Sequence, residues 1–388
     1  MTHPYVRAVA AALVLLALAG PAPAHADTRD PWVRAWGASG SGQLGNGSVL
    51  PQQTRADVRS LARADVRELA AGGGNDGNAF VVALLHDGTV ESWGGNSNGQ
   101  LGDGNASGGS RPFPAAVAGL SQVSQVAAGA HFAYAVRGGR VLAWGANDFG
   151  QHGSGTADPS SRPVAVQSLT KVKDIAAGCY HAVALREDST VWTWGRNASG
   201  QLGIGSTADQ NTPKRVPGLT DVVEVAAGCH HSLVRTADGT VKAWGYNTDG
   251  QLGNDSTERS PAPVDVLHLA EAARIFSGAY ASFAVLADGQ VRAWGFNGQG
   301  QLGDGSTVSR TTPVPVPGLA GITDLACGWR HTLAVLADGS VLAWGDNSSG
   351  QLGDGTTTDS LTPVTALPPG SGTTRVAAST AWKSNYAY

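Results

Sequence analysis

The chain has 388 residues and a formal net charge of −4, and only 14% of its residues are Asp, Glu, Lys or Arg. Because no run of Lys or Arg occurs, the sequence offers no basic surface for nucleic acid, and we do not expect nucleic-acid binding. The 54 glycines and the 41% of hydrophobic residues favour many short strands that are joined by tight turns.

Residues 1–26 have the pattern of a secretory signal peptide. Arg7 precedes an apolar stretch over residues 9–19, and Ala-His-Ala at 24–26 matches the small-x-small cleavage pattern. The stretch is too short to span a bilayer comfortably, and no other segment has about eighteen uninterrupted apolar residues. We therefore expect a secreted, extracellular protein without membrane contact, whose residues 27–388 form one domain. The alternative is an apolar tail on a cytoplasmic protein.

The three cysteines, Cys179, Cys229 and Cys327, each lie beside Gly in a small-residue segment. An extracellular location permits disulfides, but an odd number leaves at least one thiol free. We interpret all three as small buried apolar residues, because their spacing matches no metal-binding motif. Neither a metal site nor a cofactor is expected.

A Trp-Gly pair recurs about every fifty residues, which indicates a repeat architecture. The tryptophans are Trp36, Trp93, Trp144, Trp194, Trp244, Trp294 and Trp344. Each pair is followed by a Gly-Gln-Leu-Gly tetrad, except in the third repeat, where His152 replaces the leucine. We expect the repeated tryptophan to fill the space between neighbouring repeats.

The interior of one repeat has the pattern of four strands. Residues 222–228 and 231–235 are apolar runs, and Asp-Gly at 238–239 predicts a two-residue hairpin turn. Residues 241–245 alternate apolar and polar side chains, as a half-buried strand does. The Pro-rich segment 212–217 suits an outer strand, where a missing N–H group costs little.

Four short strands per repeat, arranged radially, predict an all-β, seven-bladed β-propeller of four-stranded antiparallel blades. The two ends of the chain supply complementary parts of one blade. Residues 30–37 align with the third strand at 238–245, whereas 375–379 resembles a first strand and 382–388 follows it as a second. We therefore expect the ring to be closed by N- and C-terminal strands in one blade, which removes exposed sheet edges.

The repeat resembles that of the regulator-of-chromosome-condensation family, in the residues 222–233 followed by 238–253 and again in 323–333 followed by 338–355. The resemblance covers residues 27–388 and implies the same closed seven-bladed propeller. Founding members of the family act in the nucleus as guanine-nucleotide exchange factors and dock on chromatin. We do not expect exchange activity here, because of the signal peptide and because no inserted loop looks like the wedge that exchange requires. Bacterial secreted propellers that inhibit β-lactamases are more distantly similar, since their repeats are shorter.

Two sets of polar residues recur at fixed positions of the repeat. His131, His181, His231 and His331 occupy one repeat position, which is Phe80, Ala281 and Trp382 in three other repeats. We expect each histidine to bond from its blade to the backbone of a neighbour, because positions spread around a ring cannot share one metal ion. Asp103, Asp304 and Asp354 lie in Gly-Asp-Gly loops, where we expect them to stabilise their own turns. The alternative is a rim that binds cations or basic partners.

Three classes of function remain: an extracellular protein-binding module, an inhibitor of a secreted enzyme such as a β-lactamase, and an enzyme with a site at the channel mouth. Repetition argues against the enzyme, because catalysis needs a few unlike residues that converge. We expect a monomeric, non-catalytic protein that binds another protein, with no catalytic residues.

A binding site must use what the repeats do not share. The least repeated segments are residues 72–78 and 105–113. The least repeated aromatic residues are Phe149, Tyr246, Tyr280, Phe296 and Trp329, which we predict to form the protein-binding site. Binding hot spots are enriched in aromatic residues that are displayed on loops. The alternative is that these rings pack across the blade junctions.

Overall fold

The computed structural model describes residues 32–74, 78–105, 108–379 and 382–388. The predicted signal peptide lies outside the described residues, and so do parts of the segments 72–78 and 105–113. In the described part of the chain, no helix is long and apolar enough to cross a membrane.

The described residues form seven four-stranded antiparallel sheets. In chain order the strands are β1 (Trp32–Gly37), β2 (Gln52–Ala62), β3 (Val66–Gly72), β4 (Phe80–Leu85), β5 (Val90–Gly94), β6 (Arg111–Ala116), β7 (Val123–Ala128), β8 (Phe132–Arg137), β9 (Arg140–Gly145), β10 (Ser160–Ala165), β11 (Val172–Ala177), β12 (His181–Arg186), β13 (Val191–Gly195), β14 (Gln210–Arg215), β15 (Val222–Ala227), β16 (His231–Thr236), β17 (Val241–Gly245), β18 (Ser260–Asp265), β19 (Ala272–Ser277), β20 (Ala281–Leu286), β21 (Gln290–Gly295), β22 (Arg310–Ala320), β23 (Ile322–Cys327), β24 (His331–Leu336), β25 (Val341–Gly345), β26 (Ser360–Leu367), β27 (Val376–Ala378) and β28 (Ser384–Ala387). A single 3₁₀ turn, Arg63–Asp65, separates β2 from β3 in this part of the chain.

The prediction of a seven-bladed propeller closed within one blade is confirmed. Blade 1 has the strand order β27-β28-β1-β2 from the axis outwards, and blades 2 to 7 each use four consecutive strands. In blade 1, Arg34 pairs with Ala387 and Gly37 pairs with Ser384, so the C-terminal strand lies directly beside the N-terminal one. The innermost strands contact one another in the cyclic order β3, β7, β11, β15, β19, β23, β27 and back to β3.

The hydrophobic core lies between adjacent blades rather than within one of them. The packing of blade 1 on blade 2 is an example, because Val33 and Tyr386 share one buried cluster with Leu69 and Trp93. A single sheet cannot cover both of its faces, so each blade depends on its two neighbours for stability.

The repeated tryptophan makes the same hydrogen bond at all seven junctions. Each indole is fully buried. Its Nε1–H donates to the backbone carbonyl of the tetrad glutamine in the preceding blade, over 2.7–3.0 Å. The last glycine of the tetrad makes room for the ring. At Gly353 a Cβ atom would lie 2.8 Å from Trp36 Nε1, and the φ angle is +68°.

The hairpin turn between the second and third strands differs from the prediction. At Asp238-Gly239 only the glycine has a positive φ, +83°, and Gly239 N donates to Thr236 O. The loop therefore has three residues, a type I turn followed by a left-handed glycine. Asp238 Oδ1 accepts a hydrogen bond from Thr240 N over 3.0 Å, which holds this turn. In contrast, Gly138 and Gly139 both have positive φ and form a true two-residue turn.

Because of that shorter turn, the alignment of the repeated histidines predicted from the sequence is wrong in blade 3. Phe132, and not His131, pairs with Gly145 at the start of the second strand of blade 3, as His181 pairs with Gly195 in blade 4. The sequence spacing to Trp144 is misleading because this blade's turn is one residue shorter. Likewise Ser384, and not Trp382, pairs with Gly37 in blade 1.

His181, His231 and His331 bond across the junctions to side chains, and the prediction of a backbone partner was wrong for these three. His181 Nε2 lies 2.9 Å from Ser232 Oγ of the next blade, and that hydroxyl donates to the Gln201 carbonyl over 2.8 Å. Because the serine proton is used in this way, His181 must donate from Nε2. His231 repeats the arrangement with Ser282, and His331 donates to Asn385 Oδ1 over 2.6 Å. Burial lowers the pKa of His181 and His231 to about 3, so both are neutral.

We expect deletion of residues 375–388 to abolish cooperative unfolding and to cause aggregation, because it leaves β1 without an inner partner and exposes sheet edges. Size-exclusion chromatography and thermal scans would measure this. The control is Tyr386→Phe, which removes only the 2.6 Å bond from Tyr386 Oη to the Gln43 carbonyl. It should cost about 1 kcal/mol and leave the ring closed. A monomeric truncated chain with an unchanged melting temperature would contradict ring closure as a source of stability.

The buried neutral histidines should make the protein acid-sensitive. A folded-state pKa of about 3 for His181, against 6.5 in the unfolded chain, means that the unfolded state binds more protons as the pH falls below 6.5. Going from about pH 7.5 to about pH 5 should therefore cost about 2 kcal/mol of unfolding free energy through His181 alone. In His181→Gln, which keeps a donor, the loss measured by urea titration should be smaller by that amount. The exposed His86→Gln serves as control, and equal acid sensitivity of all three proteins would refute the assignment.

Candidate protein-binding surface

Two turns of each blade meet at one end of the propeller. The residue after Trp-Gly donates its N–H to the carbonyl of the residue just before the second strand, as Tyr246 does to His230 over 2.8 Å and Phe296 to Tyr280 over 2.9 Å. Each blade therefore presents two side chains next to each other at this end. The repeat fixes the backbone there and leaves the identity of both side chains free.

Blades 3 to 6 use these positions and their neighbours to build a continuous group of aromatic rings. The successive ring centroids are 5.4 Å apart for Phe149 and Tyr180, 6.3 Å for Tyr180 and His230, 6.0 Å for His230 and Tyr280, and 6.5 Å for Tyr280 and Phe296. Tyr246 lies beside this row, with its ring 6.3 Å from that of His230 and 6.2 Å from that of Tyr280. Edge-to-face and stacked pairs at these separations are favourable.

Two arginines lie at opposite ends of the row. Arg196 Cζ is 4.8 Å from the ring centroid of Phe149 and 5.5 Å from that of Tyr180. Arg330 Cζ is 4.0 Å from the ring centroid of Trp329 and 5.9 Å from that of Phe296. We call these side chains together the aromatic surface; it consists of Phe149, Tyr180, Arg196, His230, Tyr246, Tyr280, Phe296, Trp329 and Arg330, all of which are half-buried.

All five aromatic residues predicted from the sequence lie on this surface. Tyr280 contacts both Tyr246 and Phe296. Phe149 joins them through Tyr180 and His230, and Trp329 joins them through Arg330. The rings pack on one another across blades, as the alternative interpretation expected, and each keeps part of its area in solvent. That they form a protein-binding site stays a prediction.

Sequence reasoning missed Tyr180, His230, Arg196 and Arg330. Tyr180 and His230 stand in the same repeat position as Tyr280, directly before the second strand, and alignment of that position would have found them. Arg196 stands in the position of Tyr246 and Phe296. The arginines carry no aromatic ring, so the criterion of aromatic residues that the repeats do not share does not include them.

The aromatic surface occupies one side of the ring. The equivalent positions in blades 1 and 2 hold Ala38, Gly95 and Ala79, which are small. In blade 1 the other position holds Lys383, whose Nζ forms an ion pair with Asp346 over 3.0 Å. This asymmetry is not required by the propeller, since small and large side chains are both compatible with the same backbone.

Two titratable groups of the surface, His230 and Tyr280, are neutral. Burial, with a further contribution from the charge of Arg196, lowers the pKa of His230 to about 4, so its imidazole is uncharged at neutral pH. Burial, together with Tyr246 and Tyr180, raises the pKa of Tyr280, so its hydroxyl keeps the proton and can donate a hydrogen bond.

A disulfide supports the centre of this surface. Cys179 and Cys229 are bonded to each other at a sequence separation of 50, and they directly precede Tyr180 and His230. The bond joins blades 4 and 5. The interpretation of all three cysteines as small apolar residues was therefore wrong for this pair, because the repeat brings equivalent positions of adjacent blades within bonding distance near the axis. Cys327 is free and buried, and burial raises its pKa.

The Gly-Asp-Gly loops stabilise themselves, as predicted. Asp304 Oδ1 accepts from Ser306 N over 3.0 Å, and its carboxylate forms an ion pair with Arg310. Asp354 and Asp103 accept from Thr356 N and Asn105 N in the same way. Within the described ranges, no group of three or more His, Cys, Asp or Glu side chains could hold a metal ion.

Seven four-stranded blades closed into one ring define this molecule as a repeat-built β-propeller. The chain belongs to the RCC1-like domain family. The model of the RCC1-like domain matches residues 24–273, and the model of the regulator of chromosome condensation (RCC1) repeat matches residues 288–335 and 338–380. The resemblance found in the sequence is thereby confirmed.

The chain is similar to parts of several larger proteins. It is 32% identical over 137 residues to the human E3 ubiquitin-protein ligase HERC2. The matched region covers 35% of this chain and 3% of that protein. It is also 32% identical over 124 residues to the Ultraviolet-B receptor UVR8 of Arabidopsis thaliana, 32% of this chain and 27% of that one. The matches thus span only a small part of these curated relatives.

Solved structures with the same fold cover nearly the whole chain. Prp20p from Saccharomyces cerevisiae has a TM-score of 0.79 at 22% identity, over 92% of this chain and 91% of that one. Human WBSCR16 has a TM-score of 0.78 at 24% identity, over 92% and 99% of the two chains. At these identities the likeness establishes the fold alone.

The disulfide should stabilise the folded chain measurably. Its 50-residue separation corresponds to roughly 2–4 kcal/mol of unfolding free energy, so a reductant should lower the melting temperature of the native protein. The double variant Cys179→Ser, Cys229→Ser should melt at that lower temperature with or without reductant, whereas Cys327→Ala should keep the response. Thiol titration of the denatured protein should find one thiol before reduction and three after it. Three thiols before reduction would show that the bond does not form.

Proposed function

We propose that this chain is a secreted, non-catalytic and monomeric propeller that binds another protein through the aromatic surface. The observation that carries the proposal is the grouping of seven half-buried aromatic rings and two arginines at one end of an otherwise repetitive ring. Tyr, Trp and Arg are the residue types that dominate the binding energy of protein interfaces. Secretion rests on the pattern of residues 1–26.

The family provides further support for a binding role. RCC1-like propellers are generally binding proteins or exchange factors. The description of the Prp20p structure states that Prp20p binds Gsp1p and histones, and a second structure has it bound to Kap60. A repeat-built ring presents side chains on a rigid backbone, so little ordering entropy is lost when a partner binds.

Inhibition of a secreted enzyme such as a β-lactamase is the second candidate, because an aromatic surface on a secreted propeller could cover an active-site entrance. Hydrolysis of a β-lactam by a purified β-lactamase in the presence of excess protein tests it. Inhibition that disappears in the alanine variants described below would favour this candidate over a general binding module. Guanine-nucleotide exchange, the activity of the founding family members, has the least support.

Alanine at Tyr246, Phe296 and Trp329 together should weaken partner binding by at least about a hundredfold, because each side chain is an interface residue of the hot-spot type. The melting temperature should change little, since all three are half-buried. The partner would be captured from the native extracellular fluid on the immobilised protein, identified, and purified for calorimetry against each variant.

The matched control is Trp32→Ala, which removes a ring that is 37% exposed at the start of β1, away from the aromatic surface. A partner that is retained by the native and control proteins and lost from the triple variant supports the proposal. If the triple variant unfolds, its rings belong to the core, and the binding site lies elsewhere.

A further inference from the structure

We propose that the aromatic surface recognises an acidic segment of a protein, with the carboxylates of that segment bound by Arg196 and Arg330. This inference rests on the proposed function and specifies the chemistry of the partner. It predicts acidic residues on both sides of an apolar or aromatic residue, because the two arginines lie at opposite ends of the row of rings.

Aromatic rings hold the two arginines in place, but no carboxylate of the described residues neutralises their charge. Both guanidinium groups lie over aromatic rings, 4.8 Å from the Phe149 centroid and 4.0 Å from the Trp329 centroid. Within the described residues, neither forms an ion pair with a carboxylate of this chain, and Arg330 Nε is buried without a hydrogen-bond partner. A guanidinium that stacks through its face keeps its N–H edge available, and that edge matches a carboxylate in bidentate geometry.

Arginines that serve structural roles elsewhere in the chain behave differently. Arg310 is paired with Asp304, Arg111 with Asp103, and Arg235 with Glu224. Each of these three couples a cation to an acid within its own blade. Arg196 and Arg330 therefore remain able to bind a carboxylate of a partner, and they lie next to the aromatic rings.

The acidic residues near the surface do not pair with either arginine. Asp346 is paired with Lys383, and Asp249 Oδ2 accepts a hydrogen bond from Gln251 Nε2 over 3.2 Å. Asp148, next to Phe149, is exposed to solvent. His230, in the middle of the row, is neutral, so the positive charge of the aromatic surface lies at its two ends, on the two arginines. Partly desolvated arginines attract carboxylates more strongly than exposed ones, because solvent screens them less.

The first test uses peptides on the native protein and needs no variant. The probe is a fluorescein-labelled, terminally blocked heptapeptide, Glu-Glu-Tyr-Phe-Tyr-Glu-Glu, compared with the peptides in which Gln or Lys replaces every Glu. Fluorescence anisotropy should give at least about tenfold tighter binding of the Glu peptide than of the Gln peptide, with no binding of the Lys peptide. Added salt should weaken only the Glu peptide. Equal affinity for the Glu and Gln peptides would overturn the inference, and so would binding of a sulfated polysaccharide such as heparin in preference to the Glu peptide.

The second test uses Arg196→Gln and Arg330→Gln, which remove the charge and keep a planar hydrogen-bonding group. Each should lower affinity for the Glu peptide by about tenfold and leave the weak binding of the Gln peptide unchanged. The control is Arg162→Gln, an exposed arginine of β10 away from the surface. Unchanged affinity in both arginine variants would refute the inference. If the captured partner binds the arginine variants normally but is lost from the alanine triple variant, the proposed function stands and only its acidic chemistry is wrong.

Discussion

The hydrogen bond from a buried tryptophan to the glutamine carbonyl of the preceding blade is the interaction on which this structure depends. A tryptophan in a core must find a partner for its N–H group, and the donor here reaches across the blade junction rather than within the blade. The same carbonyl also accepts a second side chain from the next blade, such as Ser232, Ser282, Thr332 or Asn385. At these four junctions both lone pairs of the carbonyl oxygen are used, which fixes the register of one blade on the next.

Closure of the ring follows the same chemistry with different residues. Tyr386 of the C-terminal strand donates to the Gln43 carbonyl, which also receives Trp93 Nε1, and Leu69 N donates to the hydroxyl of Tyr388. The innermost strands are further joined by side chains that accept from a neighbour's backbone. Asp324 accepts from Val376 N in this way, and Glu68 accepts from Val126 N. A seam made of two distant chain segments therefore reproduces the junctions made by consecutive blades.

This rigid frame separates stability from recognition. The tetrad and the tryptophan with its following glycine recur in every blade and hold the backbone, whereas the two positions at the end of each blade vary freely. Large rings or arginines fill both positions in blades 4 to 6, and Phe149 of blade 3 and Trp329 and Arg330 of blade 7 extend the group at its two ends. The disulfide between blades 4 and 5 fixes the centre of that group. Because the rings rest on one another and on guanidinium groups, they are pre-organised before any partner arrives.

The sequence alone determined the blade count, the strand order within a blade and the closure between the two ends, because a repeat of constant phase leaves few ways to bury its apolar faces. It also identified five of the aromatic residues at the candidate site. Only the tertiary structure decided which positions are equivalent when a turn changes length, as Phe132 and His131 show. The sequence likewise did not reveal the disulfide or the placement of Arg196 and Arg330. Both depend on contacts between blades, and equivalent residues of adjacent blades are about fifty positions apart in the sequence. Distances across a junction depend on how blades pack around the axis, and no local pattern of residues encodes that packing.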